Sequence, residues 1–211
     1  MRIPLLLIVA LFCSLPGLEA PAAEIIMQGK TLLIDGDLVE QDVQSVVDQF
    51  RFQPLSPGDT LHVYLNSPGG LTAVGYNIYH FLRWLNGKGV TIKTEVPSGY
   101  LCASACVMVF NAGDERIAGA ASTFVLHAPW FSKGTVNPDK EGANKVYYET
   151  LRQADQQFYE LTVKNRWIEE GETSFQGLEL AHMAPNYIKI QDEASTIALA
   201  QPQGTSVSPG N

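Results

Sequence analysis

The chain has 211 residues, 45% of them hydrophobic, with 14 basic against 22 acidic side chains and a net charge of −8. That length and apolar fraction suit one folded domain with a buried core, and they exclude a disordered or fibrous chain. The acidic balance argues against nucleic acid and against an anionic membrane surface as partners, since both call for a basic face. Three cysteines are too few for a disulfide scaffold, and their spacing is wrong for a zinc ribbon.

Residues 1–22 have the order of a secretory signal peptide: Arg2, an apolar core from Ile3 to Leu15, then Ala20-Pro21-Ala22 as an A-x-A cleavage site. The core falls short of the roughly 20 residues of a spanning helix. The expectation is a protein exported to the periplasm or cell envelope, with a domain over 23–200 and a polar, Pro/Gly-rich disordered tail over 201–211. An uncleaved anchor is the alternative. Cleavage removes Cys13 and sends Cys102 and Cys106 to an oxidising compartment, where a disulfide is expected if the pair lies on one helical turn. Two buried, unpaired thiols remain the other reading.

Thr31–Leu38 reads as a short strand ended by Gly36, and Val39–Phe52 as a helix with Val39, Val43, Val46, Val47 and Phe50 on one face. Thr60–Leu65 alternates as a strand and stops at Asn66-Ser67-Pro68-Gly69-Gly70. Leu71–Leu85 is a second amphipathic helix, Val90–Val96 a β-branched strand, and Ala103–Phe110 a buried helix. Thr123–Leu126 reads as a strand leading to His127, Asn144–Arg166 as one long helix, and Gly177–Met183 as a shorter one. Strands alternating with helices at this spacing predict an α/β fold of βαβ crossovers around a mostly parallel sheet.

Three segments sit at strand ends or helix starts, where α/β folds place their sites. Gly69-Gly70 can present backbone N–H groups to an oxygen, although a βα turn alone would also use such a pair. Ser104 opens the small-residue helix, with the Ala105 N–H next to it, and can equally be a packing residue or a cap. His127, at a strand end before Ala128-Pro129, is placed for general-base work. His62, His80 and His182 lack such company and read as structural. The histidines and cysteines lack metal-ligand spacing, and no cofactor is indicated.

Taken in order, Gly36-Asp37, Asn66–Gly70, Ile78-Tyr79, Ala103-Ser104, Ala112-Gly113 with Arg116, and Leu126–Pro129 resemble the Clp protease proteolytic subunit (ClpP) and the ClpP/crotonase superfamily. The likeness runs from about Leu32 to Ile190, and Cys102-Ala-Ser-Ala-Cys106 resembles exported, ClpP-like bacterial proteins. The resemblance implies a single domain with the ClpP/crotonase-like fold of repeated ββα/βαβ units. It also implies a serine peptidase acting on peptides or unfolded segments, with Ser104 as nucleophile, His127 as general base, and Gly70 and Ala105 as oxyanion donors. At the family's orienting aspartate this chain has Thr173, with Glu172 next to it and Glu179 further on. A threonine can hold a tautomer but supplies no charge.

Family members assemble as rings, so a homo-oligomer is implied. No ATPase partner is implied, because the periplasm supplies no ATP. A non-catalytic envelope protein that keeps the fold is the main alternative, favoured by Thr173. A crotonase-type acyl-thioester enzyme would leave the Ser–His pair unexplained, and a Ser–Lys dyad using Lys93 or Lys133 is a further option.

Overall fold

Leu61, Val63 and Leu65 alternate along β3 (Thr60–Asn66), and all three are buried, as a strand covered on one face requires. In the computed structural model, which describes residues 21–128, 140–169 and 171–191, β3 lies inside a six-stranded sheet. The predicted signal peptide up to residue 20, the segment 129–139 with Pro129 and Lys133, and the predicted tail lie outside the described residues.

Among the described residues the first elements are β1 (Glu24–Gln28) and β2 (Thr31–Asp35), an antiparallel hairpin that turns through Gly29 at φ 60°. Next come α1 (Asp42–Phe52), β3, α2 (Thr72–Gly87) and β4 (Thr91–Val96). The remaining elements are β5 (Leu101–Ala103), α3 (Ala105–Phe110), β6 (Glu115–Ala118), β7 (Thr123–His127), α4 (Lys140–Ala154), α5 (Gln156–Lys164), β8 (Glu172–Gln176), α6 (Gly177–Met183) and β9 (Lys189–Ile190). The large sheet runs β1-β2-β3-β4-β6-β9, parallel from β2 onward, and β5-β7-β8 form a second sheet in which β7 and β8 are antiparallel. The expected mostly parallel sheet is therefore two sheets. β1, β5, β6, β8 and β9 are strands that the periodicity did not show.

One hydrophobic cluster joins both sheets, with Leu32, Ile34, Val63 and Ile92 packed alongside Val107, Val109, Phe110 and Phe124. α3 is buried all round, which marks a core helix and not a surface one. It lies so close to α2 that a Cβ on Gly75 would come within 2.5 Å of the Ala105 carbonyl oxygen. Thr94 is tolerated in this core because its hydroxyl donates to the Phe110 carbonyl at 2.7 Å.

Two predicted elements change. Ala103 belongs to strand β5, and the helix begins only at Ala105. The long helix predicted over Asn144–Arg166 is broken at Asp155, which is extended (φ −160°, ψ 124°) and caps α5 by accepting from the Phe158 N–H at 2.7 Å. The Ala154 carbonyl freed by this break accepts from Arg116 at 3.1 Å, so each new helix end gains a partner. No helix among the described residues is long and apolar enough to cross a membrane.

Candidate active site

The site is assembled where β3, β5 and β7 end. Ser67 pairs with Cys102, and the Ser67 N–H donates to the Leu101 carbonyl at 2.7 Å, which lays the glycine loop against β5. Gly69 and Gly70 have φ 93° and 144°, which side chains resist. A Cβ on Gly69 would lie 2.8 Å from the Ser104 Cβ, and one on Gly70 would run into the Leu38 backbone. The loop is held by the Leu38 N–H on the Gly69 carbonyl at 2.7 Å and the Leu71 N–H on the Leu38 carbonyl at 2.9 Å. Neither bond uses the Gly70 N–H.

Ser104 joins β5 to α3 at φ 53°, ψ −120°, and among the described residues it shares a positive φ outside glycine only with Arg166. This is the backbone of a sharp strand-to-helix elbow, a conformation that costs about 1–3 kcal/mol and persists only where its surroundings enforce it. Its N–H donates to the Val125 carbonyl at 2.9 Å, and its carbonyl accepts from Val107 at 2.9 Å. A serine at this position ordinarily spends its hydroxyl on capping the helix, but here the side chain makes no cap bond. Ser104 is buried to 8% exposure. Among the described residues, neither the Gly70 nor the Ala105 N–H meets an acceptor.

His127 ends β7, two residues beyond the Val125 that bonds Ser104, so about 6.6 Å of strand separates the two positions. Its Nδ1 lies 2.8 Å from the Ala128 carbonyl oxygen. A carbonyl only accepts, so this bond requires the proton on Nδ1 and makes Nε2 the basic nitrogen. The antiparallel ladder sets Glu172 directly across from His127 and Thr173 across from Leu126. Opposed residues share a face and neighbours alternate, so Glu172 lies on the histidine's side and Thr173 on that of buried Phe175. The ladder thus sets Glu172 opposite the histidine and Thr173 one register position away.

The disulfide between Cys102 and Cys106 is present, with Cα atoms 5.2 Å apart. It does not lie on one helical turn as expected: it ties strand β5 to the first turn of α3, and Ser104 stands midway. Lys93 is on β4, engaged with Glu115 at 2.8 Å, and Lys133 lies outside the described residues. His80 packs edge-on against Tyr76, and His62 lies tilted against Tyr64 with its Nε2 3.7 Å from Glu95. Glu95 is only 2% exposed, and burial raises its carboxyl above the usual range against hydrogen bonds from Tyr64 and Gln191. Burial likewise lowers the His62 imidazole. No group of three potential metal ligands occurs among the described residues.

Sequence reasoning missed the Ala128 carbonyl and the buried Glu95. The Ala128 carbonyl is a backbone group of the kind every residue carries, and Glu95 reads as a solvent-facing charge in an alternating strand. The positive φ of Ser104 likewise left no mark on residue type.

The Clp protease family model matches residues 21–177. The ATP-dependent Clp protease proteolytic subunit 2 of Pseudomonas aeruginosa is 24% identical over 177 residues, covering 77% of this chain and 85% of that protein. Proteolytic subunit 3 of Rhizobium meliloti is 23% identical over 167 residues, covering 72% and 83% respectively. Among solved structures, a mutant of ClpP1 from Listeria monocytogenes superposes with a TM-score of 0.64 at 17% identity, covering 79% of this chain and 93% of that one. The family match runs from β1 through β8 and the shared fold spans most of both chains, so this chain belongs to the Clp protease family.

Proposed function

We propose that this protein is an exported serine peptidase that cleaves peptides or flexible, unfolded segments through Ser104 and His127. The observation that carries the reading is the elbow at Ser104. A strained backbone holds an uncapped hydroxyl beside a glycine loop, with the Gly70 and Ala105 N–H groups both lacking an acceptor among the described residues. Ser104 Oγ attacks the scissile carbonyl while His127 Nε2 takes its proton. The Gly70 and Ala105 N–H groups receive the developing oxyanion. The imidazolium then protonates the leaving amine, and a water activated by the neutral imidazole hydrolyses the acyl-enzyme.

The orienting aspartate of such triads has two tasks, and here they are divided. The Ala128 carbonyl fixes the tautomer, and Glu172 across the ladder supplies negative charge to the imidazolium. Losing a triad carboxylate costs about 10⁴ in rate where it also leaves the wrong tautomer. With the tautomer already set, the loss here is smaller. Export follows from the signal-like residues 1–22 and suits the disulfide, since such bonds persist in oxidising compartments. Without periplasmic ATP, substrates are limited to chains that are already flexible, and the protein works as a homo-oligomer without an ATPase partner. The second reading, a non-catalytic envelope protein, is favoured by Thr173 at the position where the family resemblance expects an aspartate.

A fluorophosphonate probe separates the two readings. The mature wild type is expected to label on Ser104, with labelling lost in Ser104→Ala and His127→Ala. A folded wild type that does not label sinks the peptidase reading, and labelling that persists in His127→Ala transfers the base role to a lysine.

A further inference from the structure

Ser104 occupies an unfavourable backbone conformation inside a very short frame. The strand before it, Leu101–Ala103, and the helix after it, Ala105–Phe110, are each too brief to impose a conformation by their own cooperativity. Two hydrogen bonds act on the Ser104 peptide groups, one to Val125 and one from Val107. Gly69 gives room on the other side but exerts no hold. Packing of α3 in the core holds the far side of the elbow, and one covalent restraint spans it. Cys102 and Cys106 stand two residues before and two residues after Ser104, and their bond closes a small ring about it.

We propose that the Cys102–Cys106 disulfide is a positioning device for the reaction centre, clamping Ser104 in its positive-φ backbone between β5 and α3. The consequence for catalysis rests on the reading of Ser104 as nucleophile; the clamp itself does not. One pair of dihedral angles governs both catalytic groups at this position. The φ of Ser104 sets the direction of its Cβ and hydroxyl, and its ψ sets the direction of the Ala105 N–H. Relaxation to an ordinary φ therefore turns the nucleophile and one oxyanion donor away together. Cys102 and Cys106 are 0% and 1% exposed, out of reach of an exchanging thiolate, so the bond acts as a permanent brace and not as a redox switch.

The test compares the wild type with the double variant Cys102→Ala/Cys106→Ala, both shown folded by circular dichroism at 25 °C. Amide hydrogen exchange is expected to quicken in the double variant over Ser104–Val107 while the β2, β3 and β4 amides keep their protection. Fluorophosphonate labelling is expected to slow by about 100-fold, the scale of an ångström-size misplacement. With a peptide ester substrate, kcat falls and KM stays. Unchanged exchange over Ser104–Val107 overturns the proposal, and so does an increase spread evenly through the domain, which would mean a global stability effect only. A wild type that fails to label removes the nucleophile reading alone, and the exchange result still decides the clamp. If the double variant does not fold, Ser104→Gly is added, because glycine accepts φ 53° without strain. Recovery of folding supports the clamp, and failure to recover refutes it.

Discussion

Substituting Gly69 by alanine tests whether the glycine loop and the nucleophile are one packed unit. The new Cβ would stand 2.5 Å from the Ala103 carbonyl oxygen, 2.8 Å from the Ser104 Cβ and 3.1 Å from the Ala105 nitrogen. An ordinary contact begins near 3.4 Å, so Ser104 Cβ must retreat by about 0.6 Å and the Ala103 carbonyl by about 0.9 Å, or the loop must lift by about 0.9 Å. The positive φ of 93° adds about 1–2 kcal/mol, and the overpacking about 1–3 kcal/mol. Together these lower the melting temperature by roughly 5–15 °C in a domain of this size. Gly99→Ala is the matched control: Gly99 has φ 83° with nothing within 4 Å of its would-be Cβ, so it carries the dihedral cost without the clash. The measurements are thermal melts and fluorophosphonate labelling at 25 °C. Gly69→Ala is expected to label at least about tenfold more slowly than Gly99→Ala, since sub-ångström displacement of reacting groups is that costly. Equal labelling rates in the two variants would show that Ser104 does not depend on the loop, and the site as described would fail.

Glu95→Gln is expected to raise the melting temperature at pH 8 and to change it little at pH 4. The folded-state carboxyl titrates above its ordinary range, so its contribution to stability is present in acid and lost as pH rises through the raised value. The lowered His62 acts in the opposite sense, losing stability as pH falls, and loses its carboxylate neighbour 3.7 Å away in the variant, so the comparison is repeated in a His62→Gln background; a difference independent of pH there would refute the assignment. Glu172→Gln is expected to reduce labelling only about fivefold at low salt, because an exposed cross-strand charge is worth about 1 kcal/mol, and the deficit fades by 0.5 M salt. A loss beyond a thousandfold would make Glu172 a full triad member, and no loss at low salt would remove it from the mechanism.

The parts legible in the sequence are those in which one face of an element meets the core. The alternation Leu61, Val63, Leu65 placed β3, the helical spacing of Val74, Ile78, Leu82 and Leu85 placed α2, and Gly-Gly, Ser and His marked element ends that the fold sets near one another. β6, with the sequence Glu-Arg-Ile-Ala, left no such trace, because its polar positions are engaged in ion pairs and carbonyl contacts on a half-covered face. The break at Asp155 was hidden for a different reason. The apolar period continues across it, and only the capping bond to Phe158 with the Arg116 contact to Ala154 reveals that two helices meet there. Glu95 carried no signal because strand alternation alone would put it in solvent, whereas Tyr64 and Gln191 bond it in a buried position.

Half of the groups that would do the proposed chemistry belong to the backbone. The proposed oxyanion donors are the N–H groups of Gly70 and Ala105, and the acceptor that sets the histidine tautomer is the Ala128 carbonyl. In the proposed mechanism Ser104 and His127 contribute the reacting side chains, and Glu172 adds only charge. A site built this way is specified by strand register and turn geometry, which survive extensive sequence change as long as small residues remain at the points of close approach. That accounts for a common fold with relatives at 23–24% identity, together with a threonine where an aspartate is expected. The replacement removes a charge but leaves the tautomer to a backbone atom that substitution at Thr173 does not touch. What such a site does need is a restraint on Ser104, the one residue whose side chain and following N–H must be aimed together. The disulfide closes around that residue.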